Sequence, residues 1–133
     1  MMLALEDLKG MTEFQVKKHL ELGYTGEGVS ISEVATLLED MDILIAYESV
    51  GSWGCDSTSF YLFKDKAGKL YELHGSHCSC YGFEGQFRLE ESNAEVLKTR
   101  AKGKNYRLFS TGGYDVNSDS NVDEAKKYIL ENL

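Results

Sequence analysis

The residues best suited to chemistry in this chain are three cysteines and two histidines gathered between positions 51 and 85: Cys55, His74, His77, Cys78 and Cys80. Thiolate and imidazole are the usual ligands of tetrahedral zinc, which has no geometric preference from d-electrons and accepts such donors wherever the chain brings them together. The surrounding pattern says how that would happen. Ser57 to Lys64 and Lys69 to His74 are alternating runs rich in aromatic and β-branched residues, and Asp65-Lys66-Ala67-Gly68 between them reads as a hairpin turn. A hairpin brings its outer ends together. Cys55 precedes the first strand, and His77, Cys78 and Cys80 follow the second, so the register alone predicts their convergence. The expected ligands of a structural zinc are therefore Cys55, His77, Cys78 and Cys80, with His74 as the substitute histidine.

Other chemistries fit the same residues. Cys-x-Cys is tighter than the Cys-x2-Cys of common zinc motifs, and free cysteines are often small buried hydrophobes. A disulfide framework is disfavoured, because three cysteines leave one unpaired and no secretory signal precedes them. Cys55 could act as a nucleophile with a histidine as its base, although no neighbour in the sequence visibly lowers its pKa.

The strings Gly51-Ser52-Trp53-Gly54-Cys55-Asp56-Ser57 and Gly75-Ser76-His77-Cys78-Ser79-Cys80-Tyr81-Gly82-Phe83-Glu84 resemble a family of small uncharacterised proteins encoded by phages and prophages. The resemblance implies a setting rather than a mechanism: a viral accessory gene expressed inside a bacterium. Some small zinc-holding proteins of that setting inhibit host defence, anti-CRISPR proteins among them. The resemblance carries no catalytic residue.

Charge narrows the partners. The 133 residues carry a net charge of −8 and no proline, and the imbalance is concentrated in residues 1 to 49, with 3 basic and 10 acidic side chains. Such a surface repels nucleic acid and suits a basic protein partner. The length and a hydrophobic content of 42% predict a single folded domain over residues 1–133. The longest apolar run, Ile43 to Tyr47, is far too short to span a bilayer, and Met1 to Leu5 lacks the basic region of a signal peptide. A cytoplasmic location in a bacterial host is expected.

The elements that must position the cluster follow in order. Leu3 to Leu8 has helical spacing and stops at Gly10. Thr12-Glu13-Phe14-Gln15 is a capping box opening a helix that ends at Gly23, where a left-handed residue is wanted. His19 and Glu21 in it echo the His-x-Glu of zinc deaminases, but the Pro-Cys-x-x-Cys that completes that signature is absent, so His19 is expected simply to face solvent. Gly23 to Gly28 is not a P-loop, lacking the Lys-Ser or Lys-Thr. Ser30 to Glu33 is a second capping box, for a helix whose apolar face is Ile31, Val34, Leu38 and Met41. That helix offers Glu33, Glu39 and Asp40 but no basic residue, which argues against DNA reading.

Ile43 to Val50 reads as a strand with Ile43, Ile45 and Tyr47 on one face and Leu44, Ala46 and Val50 on the other, a pattern suited to an interior position. Ser92 to Glu95 is a third capping box, for a helix showing Val96 and Leu97 to the core. Lys98, Arg100, Lys102, Lys104 and Arg107, interleaved with Tyr106, form a basic cluster that more readily pairs with the chain's own acidic residues than with phosphate. Tyr106 to Ser110 is a further expected strand. Asp115 to Asn121 has the opening of a calcium loop without its glycine or closing glutamate. The closing helix carries a stripe of Val122, Ala125, Ile129 and Leu133.

The predicted fold is α+β, an antiparallel sheet of about four strands flanked by about four short helices. The leading function is non-enzymatic: a phage-encoded zinc-binding accessory protein that inhibits a host defence system by binding a basic-surfaced protein, such as a CRISPR effector nuclease, with no direct nucleic-acid or membrane contact. The alternative is a small zinc- or thiol-dependent hydrolase, with Glu72, Glu84 or Asp56 as general base.

Overall fold

A computed structural model describes residues 2–24, 31–50, 57–77, 87–102 and 120–133. Within them the order is β1 (Leu3–Glu6), α1 (Glu13–Gly23), α2 (Ile31–Glu39), β2 (Met41–Val50), β3 (Ser57–Asp65), β4 (Leu70–His77), β5 (Glu90–Ser92), α3 (Ala94–Lys102) and α4 (Ser120–Asn132). The strands form one sheet in the order β1-β2-β3-β4-β5. The fold is α+β as expected, but the sheet is mixed and has five strands.

The departure from an all-antiparallel sheet lies at the N-terminus. Leu3–Glu6 is not helical; it pairs in parallel with β2, Leu5 opposite Tyr47. The helical spacing read there belongs to the turn that follows, where Leu8 and Lys9 donate to the carbonyls of Leu5 and Glu6 and Gly10 has φ +86°. Parallel neighbours need a crossover, and α1 with α2 supplies it. β5 is the other unexpected strand, antiparallel to β4 with Glu72 opposite Glu90.

Helices cover both faces. On one, Val16 and Leu20 of α1 and Val34 and Leu38 of α2 pack on Ile43, Ala46, Tyr61, Phe63 and Leu73. On the other, Leu97 and Ala101 of α3 and Ala125 and Ile129 of α4 pack on Leu5, Ile45, Tyr47, Phe60 and Leu62. Phe60, Tyr61, Leu62 and Phe63 are fully buried, which identifies β3 as the central strand. Each such side chain is worth roughly 1.5–3 kcal/mol of burial.

β2 does not keep the simple alternation expected of it. Its register against β3 slips between Ile43 and Ile45, leaving Leu44 as the extra residue of a bulge. Ile43 therefore joins Ala46 on the α1/α2 side, while Leu44, Ile45 and Tyr47 serve the α3/α4 side.

The helix ends are partly as read. The Thr12–Gln15 capping box is complete, with each backbone N–H donating to the other residue's side chain. Gly23 stays helical and Tyr24 is the C-cap at φ −114°, so no left-handed residue is used. Ser30 lies outside the described residues. For α3 the capping side chain is Asn93, whose Oδ1 accepts from Val96 N at 2.8 Å, rather than Ser92. Val96 is exposed; Leu97 and Ala101 are the residues α3 buries. No helix among the described residues is long and apolar enough to cross a membrane.

Candidate functional site

The β3–β4 hairpin is built at its turn by Asp65. Its Oδ1 accepts from Ala67 N at 3.0 Å and from Lys69 N at 2.8 Å, and Gly68 takes φ +88° as this tight turn requires. The ladder then runs without a slip through Leu62 opposite Glu72, Phe60 opposite His74 and Ser57 opposite His77. The two strands thus end level with each other. Cys55, Cys78 and Cys80 lie outside the described residues, and His77 is defined by its backbone pairing alone. Of the five expected ligands, His74 is the one with a described side chain.

His74 sits on the α3/α4 face, with 8% of its side chain exposed. Its Nε2 is 2.9 Å from Oε1 of Glu72, two residues earlier on the same face of β4. Its ring centroid lies 5.0 Å from that of Phe60, tilted by 55°. Its Nδ1 is buried and, among the described residues, has no hydrogen-bond partner.

Glu72 is held from three directions. Besides His74, Ser92 Oγ of β5 donates to Oε2 at 2.7 Å, and Arg100 Nη2 of α3 donates to the same oxygen. Burial would raise the carboxyl's pKa, but the hydrogen bonds from His74, Ser92 and Arg100 and the guanidinium charge outweigh it and bring the value down to about 2. A carboxylate this acidic and this fully engaged is a poor proton acceptor at neutral pH. Glu72 is thereby removed from the expected general bases, while Glu84 and Asp56 lie outside the described residues. Arg100, expected in a basic cluster, is committed to this buried contact; Lys104, Tyr106 and Arg107 lie outside the described residues, as do the Tyr106–Ser110 strand and the greater part of the Asp115–Asn121 segment.

A second histidine–carboxylate pair occupies the opposite face. His19 on α1 meets Glu48 on β2, Nε2 to Oε2 at 2.5 Å, and Tyr61 OH donates to the same oxygen at 3.3 Å. Beside it Tyr24 OH and Ser59 Oγ share a short hydrogen bond, and the Tyr24 and Tyr61 rings meet edge to face at 6.3 Å. Glu48 is 7% exposed, whereas the His19 side chain is 37% exposed. The hydrogen bond to Glu48 raises the His19 pKa above 6.5 despite partial burial. His19 is thus paired rather than simply solvent-facing, and its partner is Glu48, not Glu21. The signal in the sequence was Glu48 itself, a carboxylate at a core-facing position of an apolar strand, which needs a partner when buried.

Among the described residues no three His, Cys, Asp or Glu side chains are grouped to hold a metal. What the described residues provide is two oriented imidazoles, one per face, each fixed by a buried carboxylate.

These features define an α+β fold with a mixed five-stranded sheet between two helical layers. Comparison with protein-family models, curated proteins and solved structures finds no match.

Proposed function

We propose that the protein is a zinc-binding accessory protein of phage or prophage origin that inhibits a host defence system by binding its nuclease effector, in the manner of anti-CRISPR proteins. The observation that carries the metal part is the pairing of Ser57 with His77. Cys55 is two residues before Ser57 and Cys78 one residue after His77. Two extended residues span about 7 Å, and so short a separation along the chain from a paired position supports the reading that the two thiols share a site. The phage setting rests on the resemblance of the two cysteine-bearing strings. The partner part is supported by α2 and the residue after it, where Glu33, Glu39 and Asp40 are all exposed. An acidic surface of this kind complements a basic nucleic-acid channel.

Elemental analysis of the purified full chain tests the metal. One equivalent of zinc, lost together with thermal stability in Cys78→Ser and in Cys80→Ser, is the expected result. Metal-free wild-type protein would overturn the zinc reading.

The second reading, a thiol-dependent hydrolase, is favoured by one observation: His19 is half-exposed and oriented by a buried carboxylate, the arrangement that readies a general base. Rapid alkylation of Cys55 in metal-free protein, slowed by His19→Gln, would favour this reading.

A further inference from the structure

We propose that the groove between α1 and α2 receives an arginine side chain of a basic partner protein, with Phe14 as its stacking platform and Glu21 and Glu39 as its counter-charges. This rests on the partner reading above and deepens it by naming the side chain that the acidic surface recognises.

The groove follows from how the two helices sit. They bury Val16, Leu20, Val34 and Leu38 towards the sheet, and a cleft of about 280 Å³ remains between them. Phe14, Ala35 and Leu38 give it an apolar lining, and Glu21 of α1 and Glu39 of α2 add a carboxylate from each helix. Phe14 is 69% exposed, so most of its ring is open to a ligand. An aromatic ring and two carboxylates beside apolar surface suit a cation carried on an apolar stem.

The chain already places a cation there. Lys18 Nζ lies 5.6 Å from the Phe14 ring centroid and 3.5 Å from Oε2 of Glu21. Its hold is slight, because the Lys18 side chain is 57% exposed and 3.5 Å is long for a hydrogen bond, so water competes for the ammonium. Glu21 has only 12% of its side chain exposed, and Lys18 is its one ion-pair partner among the described residues. Glu39 is exposed and makes no ion pair among the described residues. The other lysine of the lining, Lys17, is offset by Glu13 at 3.9 Å.

Arginine suits this arrangement better than the resident lysine. A guanidinium is planar, stacks on an aromatic face and spreads five N–H donors that can serve two carboxylates, whereas an ammonium is a compact, strongly hydrated charge. Lys18 is free to swing into solvent as the guanidinium enters, which keeps Glu21 paired throughout. Charge selects the occupant. Residues 1 to 49 carry 3 basic and 10 acidic side chains, and Glu39 adjoins the exposed Asp40, a balance that repels phosphates and the same face of a second copy. Protein surfaces that hold nucleic acid present arginines to phosphate, and the groove fits that chemistry.

The test is NMR titration of the 15N-labelled full chain, at low salt, with N-acetylated tetra-arginine amide and its tetra-lysine twin, which carry equal charge. Tetra-arginine should bind about 2- to 5-fold more tightly, with the largest shifts at Phe14, Glu21 and Glu39. Phe14→Ser, at an exposed position, should abolish that preference, and Glu21→Gln should weaken both peptides. Lys18→Ala should tighten tetra-arginine binding more than Lys9→Ala, which makes the same change of charge at an exposed residue outside the lining. Equal binding of the two peptides, or shifts confined to residues outside the groove, would overturn the proposal. Concentration-dependent shifts at the groove in peptide-free protein would assign it to a second copy and overturn the proposal as well. Failure of the wild-type chain to protect a targeted phage would overturn the defence reading, while the peptide titration would still decide the groove.

Discussion

His19 and Glu48 join α1 to β2 through a 2.5 Å hydrogen bond between Nε2 and Oε2, bridging residues 29 apart in the chain. The interaction raises the His19 pKa above its ordinary 6.5, the hydrogen bond that the ring donates to Glu48 outweighing partial burial. The folded protein then holds the proton more tightly than the unfolded chain. Its contribution to stability is complete below about pH 6.5 and is lost as pH rises through the higher folded value. Thermal melts of wild type and His19→Gln between pH 5 and 9 should show the largest gap at the acid end, narrowing with pH. A gap independent of pH would remove the charged pairing.

Glu72 gives the opposite dependence. Its folded pKa of about 2 lies below the ordinary 4.5, so its contribution is complete above pH 4.5 and is lost as pH falls through about 2. A shift of that size corresponds to roughly 3 kcal/mol. Glu72→Gln also leaves the Arg100 guanidinium without its counter-charge. Urea unfolding should place this variant about 3 kcal/mol below wild type at pH 7, with the difference closing towards pH 2.

Leu5 tests the N-terminal strand. It is fully buried in the α3/α4-side core, next to Ile45 and Tyr47 of β2 in the sheet. Leu5→Ala should cost about 3 kcal/mol in urea unfolding, as expected of a core leucine. A loss well under 1 kcal/mol would mean that the N-terminal segment is not seated in the sheet.

Charge reversal of Glu33, Glu39 and Asp40 to lysine tests the proposed partner surface. All three are exposed, and Asp40 pairs only at the surface, with Lys66 Nζ at 3.2 Å, so the change should leave the fold intact. Plating of a targeted phage on a CRISPR-carrying host that expresses the protein should be restored by wild type and much less by the triple variant. Binding of the isolated effector should weaken and become less salt-sensitive. Full restoration by the variant would remove the acidic-surface mechanism.

What could be read from the chain alone was local. The capping box at Thr12, the turn at Asp65-Lys66-Ala67-Gly68, the alternation of β3 and the Ala125–Ile129 stripe of α4 all act within a few residues, and neighbouring side chains already carry their instructions. The hairpin register followed from that turn, and with it the juncture of residues 57 and 77 beside the cysteines.

Tertiary structure decided the rest. Leu3 to Leu8 has too few residues to separate helix from strand by period, and the edge of β2 drew Leu3–Glu6 into parallel pairing. The bulge at Leu44 reassigned Ile43 to the other face because packing on two helical layers, not alternation, set the register. Both buried carboxylates took a partner from a distant helix. Glu48 meets a helix 29 residues earlier in the chain, and Glu72 meets Arg100 28 residues later. No local pattern specifies such contacts, since a buried carboxylate demands a partner without naming it. Sequence by itself determined the hairpin and its load of thiols and imidazoles. Only the folded structure, by burying Glu48 and Glu72 on opposite faces beneath different helices, decided that His19 would meet the first and Arg100 the second.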